Sequence, residues 1–127
     1  MLQMQILLQG LSKSVTGNLM VIAITTINLL FNVIANVSFK YSAFSSNWRG
    51  FTLWQIIGNL AGFVTVLTLT WLLRYVPLDV AFPVTTGLAV LGVQVTATFL
   101  IFHESITLMQ WLGTLLVILG ILLISKG

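Results

Sequence analysis

Apolar residues run through this chain in four long stretches with polar breaks between them. Leu19–Phe39, Leu53–Leu73 and Leu78–Phe102 each reach the roughly 20 mostly apolar residues that carry a helix across a bilayer. Leu108–Ile124 lies at the short end of that range. Most of the charge falls in the breaks: Lys40 and Arg49, then Arg74 and Asp79, then His103 and Glu104. The pattern predicts an all-α fold, an integral membrane bundle of four transmembrane helices with both termini on one side. Residues 1–17, MLQMQILLQGLSKSVTG, are too short and too polar to span. Leu2 and Ile6 can share a helical face there, with Leu7, Leu8 and Leu11 spreading around it, so this leader is expected either as an interfacial helix or as a disordered segment. The transmembrane domain is expected over 18–127.

Polar residues inside the spans are few and arranged. In INLLFNVIANVSFK, Asn28, Asn32, Asn36 and Lys40 recur at every fourth position. A helix advances about 100° per residue, so steps of four drift by only about 40° and the three amides share a face that Lys40 extends to the interface. An amide pointing into lipid leaves its donors and acceptor unfilled, so that face must look into protein or water. Two uses compete: bonds to neighbouring helices, or the wall of a polar cavity that binds hydroxyl or phosphate groups. Three amides in register with a lysine at the mouth favour the cavity. Gln55 and Asn59 repeat the spacing in the second span, and Gln94 lies in the third.

The third span begins VPLDVAFPVTTGLAVLG. Pro83 removes a backbone donor near its start, and Gly87 and Gly92 loosen the turns beyond it. Thr85 and Thr86 serve either as partners of freed carbonyls or as hydroxyls facing the cavity. In the fourth span Gly113 and Gly120 stand seven residues apart and fall on one face, a seam for helix pairing. Near mid-membrane there is no Asp, Glu or His, so His103 and Glu104, at the end of the third span, are the only candidates for proton coupling.

Composition narrows the function classes. At 127 residues the chain is one domain, and 58 % hydrophobic with 6 % charged residues rules out a water-facing surface. There is no cysteine and one histidine, so neither a thiolate nor a multi-histidine metal site is available within one chain, and no cofactor is expected. Five Lys/Arg spread over separate segments form no nucleic-acid footprint. The first charge, Lys13, comes after an apolar start, the reverse of a secretory signal. Lys13, Arg74 and Lys126 stand on the side of the termini and Lys40 and Arg49 on the other. So slight a bias predicts either a weakly cytoplasmic N-terminal side or insertion both ways, which would allow an antiparallel homodimer. No set of acid, base and nucleophile is present, so an enzyme is not expected.

The first-helix ending NVIANVSFKYS, the turn YVPLDVAFPVTTG and the tail FHESITLMQWLGTLLVILGILLIS together resemble the drug/metabolite transporter superfamily, four-helix type, related to the small multidrug resistance family. The resemblance runs from about Leu19 to Ile124 and implies a multi-pass protein of the bacterial inner (plasma) membrane. Members of that family carry a helix-one glutamate that binds cations and protons in alternation. Aligned on Lys40, its place is taken by Asn32, and the helix-three aromatics fall at Phe82, retained, and Thr85, not retained. An amide neither pairs with a cation as a carboxylate does nor releases a proton near neutral pH. Ala81-Phe82-Pro83 and Phe102-His103-Glu104 are similar to the small paired subunits of aminoarabinose-phosphoundecaprenol flippases, which also lack that glutamate. The resemblance implies alternating access in a homodimer, or a heterodimer with a similar small subunit, among membrane lipids. The substrate would be a small molecule or a lipid-linked sugar, with Asn28, Asn32, Asn36, Lys40, Phe82, Thr85 and Thr86 at its site. An exporter with its coupling group moved to Glu104, and an accessory subunit that conducts nothing, are the alternatives.

Overall fold

Four helices succeed one another in a computed structural model that describes residues 2–100 and 102–126, with the side chains of residues 9–16, Leu11 and Lys13 among them, outside the description. They are α1 (Leu2–Phe44), α2 (Trp48–Leu72), α3 (Leu78–Val95) and α4 (Leu108–Lys126). α3 passes directly into one turn of π-helix, Thr96–Leu100. Each helix contains a stretch long and apolar enough to cross a membrane: Gly17–Phe44, Trp48–Leu72, Leu78–Leu100 and Leu108–Lys126. Among the described residues there is no strand. The chain is an all-α, multi-pass membrane bundle.

The leader continues α1 as helix. With 43 residues α1 is about 65 Å long at 1.5 Å per residue, against about 40–45 Å for a whole bilayer with its headgroups. About 20 Å of it therefore extends beyond the membrane or lies along its surface. Leu2, Met4, Ile6, Leu7 and Leu8 are all exposed on it.

Short connections make neighbours antiparallel. Between α1 and α2 Asn47 caps the second helix, its Oδ1 accepting from the Gly50 N–H at 2.8 Å, a bond that fills one of the donors a helix start leaves open. α1 and α2 form the most extensive contact in the bundle, and α3 lies between α1 and α4, packed on both to a similar extent. Thr107 and Gln110 cap α4 reciprocally. The Thr107 N–H donates to Gln110 Oε1 at 2.9 Å and the Gln110 N–H to Thr107 Oγ1 at 3.2 Å.

The interior is small and polar rather than oily. Among the described residues Asn28, Ser38, Ser42, Thr68, Thr85, Thr96 and Thr114 are buried, beside only Ile24, Ala35, Ala61, Leu72 and Ala81 from the apolar set, while large apolar residues such as Leu116 and Leu123 are exposed. Lipid is as apolar as leucine, so burial of greasy side chains drives little here and close approach and interhelical bonds take over. Two glycines in α3 show it. A Cβ on Gly87 would lie 2.5 Å from Ile121 Cδ1, and one on Gly92 would lie 2.8 Å from Leu29 Cδ1. Rather than loosening α3, they let α4 and α1 lie against it.

Candidate functional site

The amide line of α1 is a hydrogen-bonded ladder. Asn28 Nδ2 donates to Thr65 O and Thr68 Oγ1, both at 2.9 Å, and so ties α1 to α2. Because a carbonyl only accepts, Thr65 O fixes which way the Asn28 amide faces and turns its Oδ1 toward Asn32. Asn32 Nδ2 then donates to Asn28 Oδ1 at 2.9 Å and to Asn28 O at 3.1 Å. Asn36 Nδ2 donates to Asn32 O at 2.8 Å. The stripe divides by depth: Asn28 is buried and joins helices, whereas Asn32 is half-buried and Asn36 exposed.

Asn28 and Asn32 line a hollow of about 190 Å³ with Thr65, Phe82, Thr85 and Thr86, so five of the seven expected residues meet there, without Asn36 and Lys40. With both of its N–H groups spent on Asn28, Asn32, which lines the hollow, has its Oδ1 left to accept a hydrogen bond. The two threonines differ. Thr85 is buried and its hydroxyl donates to Ala81 O at 2.8 Å, back along its own helix near Pro83. Thr86 is exposed and stands between this hollow and a wider one.

The wider hollow, about 780 Å³, opens between α1, α3 and α4 and shares Thr86 and Ala89 with the first. Asn36, Gln94, Glu104 and Gln110 are among its polar lining residues. Thr114 donates to Gln94 Oε1 across it, so Gln94 ties α3 to α4. Gln55 serves α1–α2 packing instead, its Nε2 donating to Ser42 Oγ at 3.2 Å, whereas Asn59 is exposed and its Nδ2 donates within α2 to Gln55 O at 2.7 Å.

Lys40 does not stand free at the end of the amide line. Its Nζ lies 2.8 Å from Glu104 Oε1, 4.8 Å from the Phe44 ring centroid and 5.7 Å from that of Phe102. The anion-attracting residue and the candidate coupling carboxylate are thus partners, each side chain about two-fifths exposed. Exposed pairs of this kind are worth about 0–1 kcal/mol. His103, beside Glu104, has φ 50°, a left-handed conformation uncommon outside glycine, which turns the chain from the π-helical turn toward α4. The Glu104 N–H donates to Ala97 O at 3.1 Å and holds that turn. Gly113 and Gly120 have nothing within 4 Å of where a Cβ would stand; Gly113 borders the wide hollow, and the Gly120 end of that face is open in the single chain.

Sequence reading missed Thr65 and Thr68 as partners of Asn28, because nothing in the pattern says which α2 face meets the amides. It also missed the Thr107–Gln110 cap, although threonine with glutamine three residues later was a readable signal. Among the described residues no group of His, Cys, Asp and Glu could hold a metal. The family model described as Small Multidrug Resistance protein matches residues 18–118 of the chain. No curated protein and no solved structure matches it.

Proposed function

Because the chain belongs to the small multidrug resistance family and is a small membrane transporter, we propose that it carries a hydroxyl-bearing cargo, a lipid-linked sugar, rather than exchanging cationic drugs for protons. The site is the Asn32 hollow with Phe82, Thr85 and Thr86 opposite. One observation carries the reading: at the position where the family resemblance expects a carboxylate, Asn32 offers a single uncharged acceptor. An amide oxygen bonds a sugar hydroxyl, pairs poorly with a cation and has no proton to give. Asn28 sets its orientation. Thr86 adds a hydroxyl, and Phe82 an aromatic face.

The Asn32 hollow by itself encloses too little space for a cargo, since it is about 190 Å³ and ligand sites run to about 300–1,000 Å³. Two copies, or this chain and a similar small subunit, complete the path and rock about it in alternating access. The open Gly120 end of the Gly113–Gly120 face of α4 supports that assembly. The setting is the bacterial inner membrane.

The test is transport in proteoliposomes of a polyprenyl-phosphate sugar against a quaternary ammonium. Asn32→Ala is expected to lower sugar-lipid transport about fivefold, the value of one hydrogen bond of about 1 kcal/mol, with helicity and dimerisation intact. Asn32→Glu is expected to shift binding toward the quaternary ammonium. Transport intact in Asn32→Ala, with dimerisation lost, would mean that the stripe is structural and the proposal wrong.

A further inference from the structure

The wide hollow has a direction. It runs along α3 and the π-helical turn from Thr86 to Thr98, about 18 Å at 1.5 Å per residue, which is about three-fifths of the roughly 30 Å hydrocarbon core. Its outer end lies at Glu104, since that residue's backbone is bonded to Ala97 next to Thr98. Ser105 and Gln110 stand at that end; further in, Ala89, Val90, Val93 and Val117 share the walls with Gln94 and Thr114, which bond to one another. Polar at the mouth and mostly apolar along its length, the hollow has the polarity profile of one lipid: a headgroup at the interface and a chain beneath it.

The charges at the mouth choose the headgroup. Lys40 and Glu104 satisfy one another at 2.8 Å, yet both are partly in solvent, so the pair is weak enough to be exchanged. An anionic headgroup would take Lys40 and leave Glu104 unpaired beside its phosphate. A purely cationic one would take Glu104 and strand Lys40. A headgroup carrying both charges can engage the two residues together, phosphate to Lys40 and ammonium to Glu104, replacing one ion pair by two. An ammonium that keeps its N–H groups suits a carboxylate better than a quaternary one, and the Phe44 and Phe102 rings that could receive a quaternary ammonium already flank Lys40. We infer that the hollow between α1, α3 and α4 is a binding site for a zwitterionic phosphoethanolamine lipid, its headgroup held by Lys40 and Glu104 and one acyl chain lying along α3. The site does not depend on the identity of the transported cargo.

The experiment is lipid titration of the purified protein in detergent, read by native mass spectrometry and by thermal unfolding. The probes are phosphatidylethanolamine, phosphatidylglycerol and water-soluble glycerophosphoethanolamine. Phosphatidylethanolamine is expected to bind at least about fivefold more tightly than phosphatidylglycerol and to raise the melting temperature, a preference worth about 1 kcal/mol. The chainless headgroup is expected to do neither. Lys40→Met and Glu104→Gln should each abolish the preference, and Ala97→Phe, which fills the groove, should weaken both lipids. Equal binding of the two lipids by the wild-type protein overturns the proposal, whatever the variants do. Retention of the preference by Lys40→Met and Glu104→Gln, with helicity intact by circular dichroism, overturns the assignment of the headgroup.

Discussion

Asn28 and Asn36 share one helix face and one chemistry, yet their surroundings give them different work. Asn28 donates both amide hydrogens to α2 and is 3 % exposed, whereas Asn36 bonds only to its own helix. Interhelical bonds in membranes average about 0.6 kcal/mol and reach about 1.7 kcal/mol. Asn28→Leu should therefore destabilise the bundle by about 1–2 kcal/mol, because it removes two such bonds and the acceptor that orients Asn32. Asn36→Leu should cost less than about 0.5 kcal/mol. Unfolding by increasing SDS in mixed micelles measures both, and equal costs would show that burial does not divide the stripe. The register of the amides was legible, since a spacing of four can only mean one face. Their division of labour was not, because it depends on where Thr65 and Thr68 sit across the helix pair.

At the scale of elements, α3 is held by close approach on two sides. With Gly87 against Ile121 and Gly92 against Leu29, a side chain at either position must displace the facing side chain or push the helix that carries it away. Gly87→Val is expected to cost about 1–3 kcal/mol as overpacking, and Ile121→Ala to restore most of it. Unchanged stability in SDS titration would mean that α4 is free to shift outward. α4 has a weaker hold, on α3 alone for most of its length, with its start fixed by the Thr107–Gln110 cap. Four spans could be counted from hydropathy, and each was found, though α1 runs far beyond Leu19–Phe39 and α3 ends in a π-helical turn short of Phe102. Hydropathy marks where lipid is tolerated. It does not mark where backbone hydrogen bonding stops, so element ends moved while element number held.

For the whole molecule, the outward surface is the informative part. A Cβ at Gly113 or Gly120 meets nothing within 4 Å, and the larger side chain at Gly113 would enter the open hollow rather than a packed contact. Gly113→Leu with Gly120→Leu should therefore abolish cross-linking between copies in membranes while monomer helicity and melting stay as in the wild type. Loss of monomer stability instead would place those glycines in an internal contact. Lys40 and Glu104 act at this scale too, because their pair joins the end of α1 to the connection before α4, across 64 residues of sequence.

By itself the sequence determined what lipid dictates: an all-α chain crossing the membrane four times, the amide face of α1, the lack of a mid-membrane carboxylate, and residues enough to mark a transporter family. Those properties are local or additive, set by hydrophobic length, helical period and residue chemistry. Only the tertiary structure decided that Asn28 binds α2, that Asn32 lines the hollow with its Oδ1 left to accept, that Thr86 rather than Thr85 carries the free hydroxyl, and that Lys40 is matched with Glu104. Each depends on distances between helices, and in lipid those distances are set by small residues and interhelical bonds whose partners no periodicity along the chain can identify.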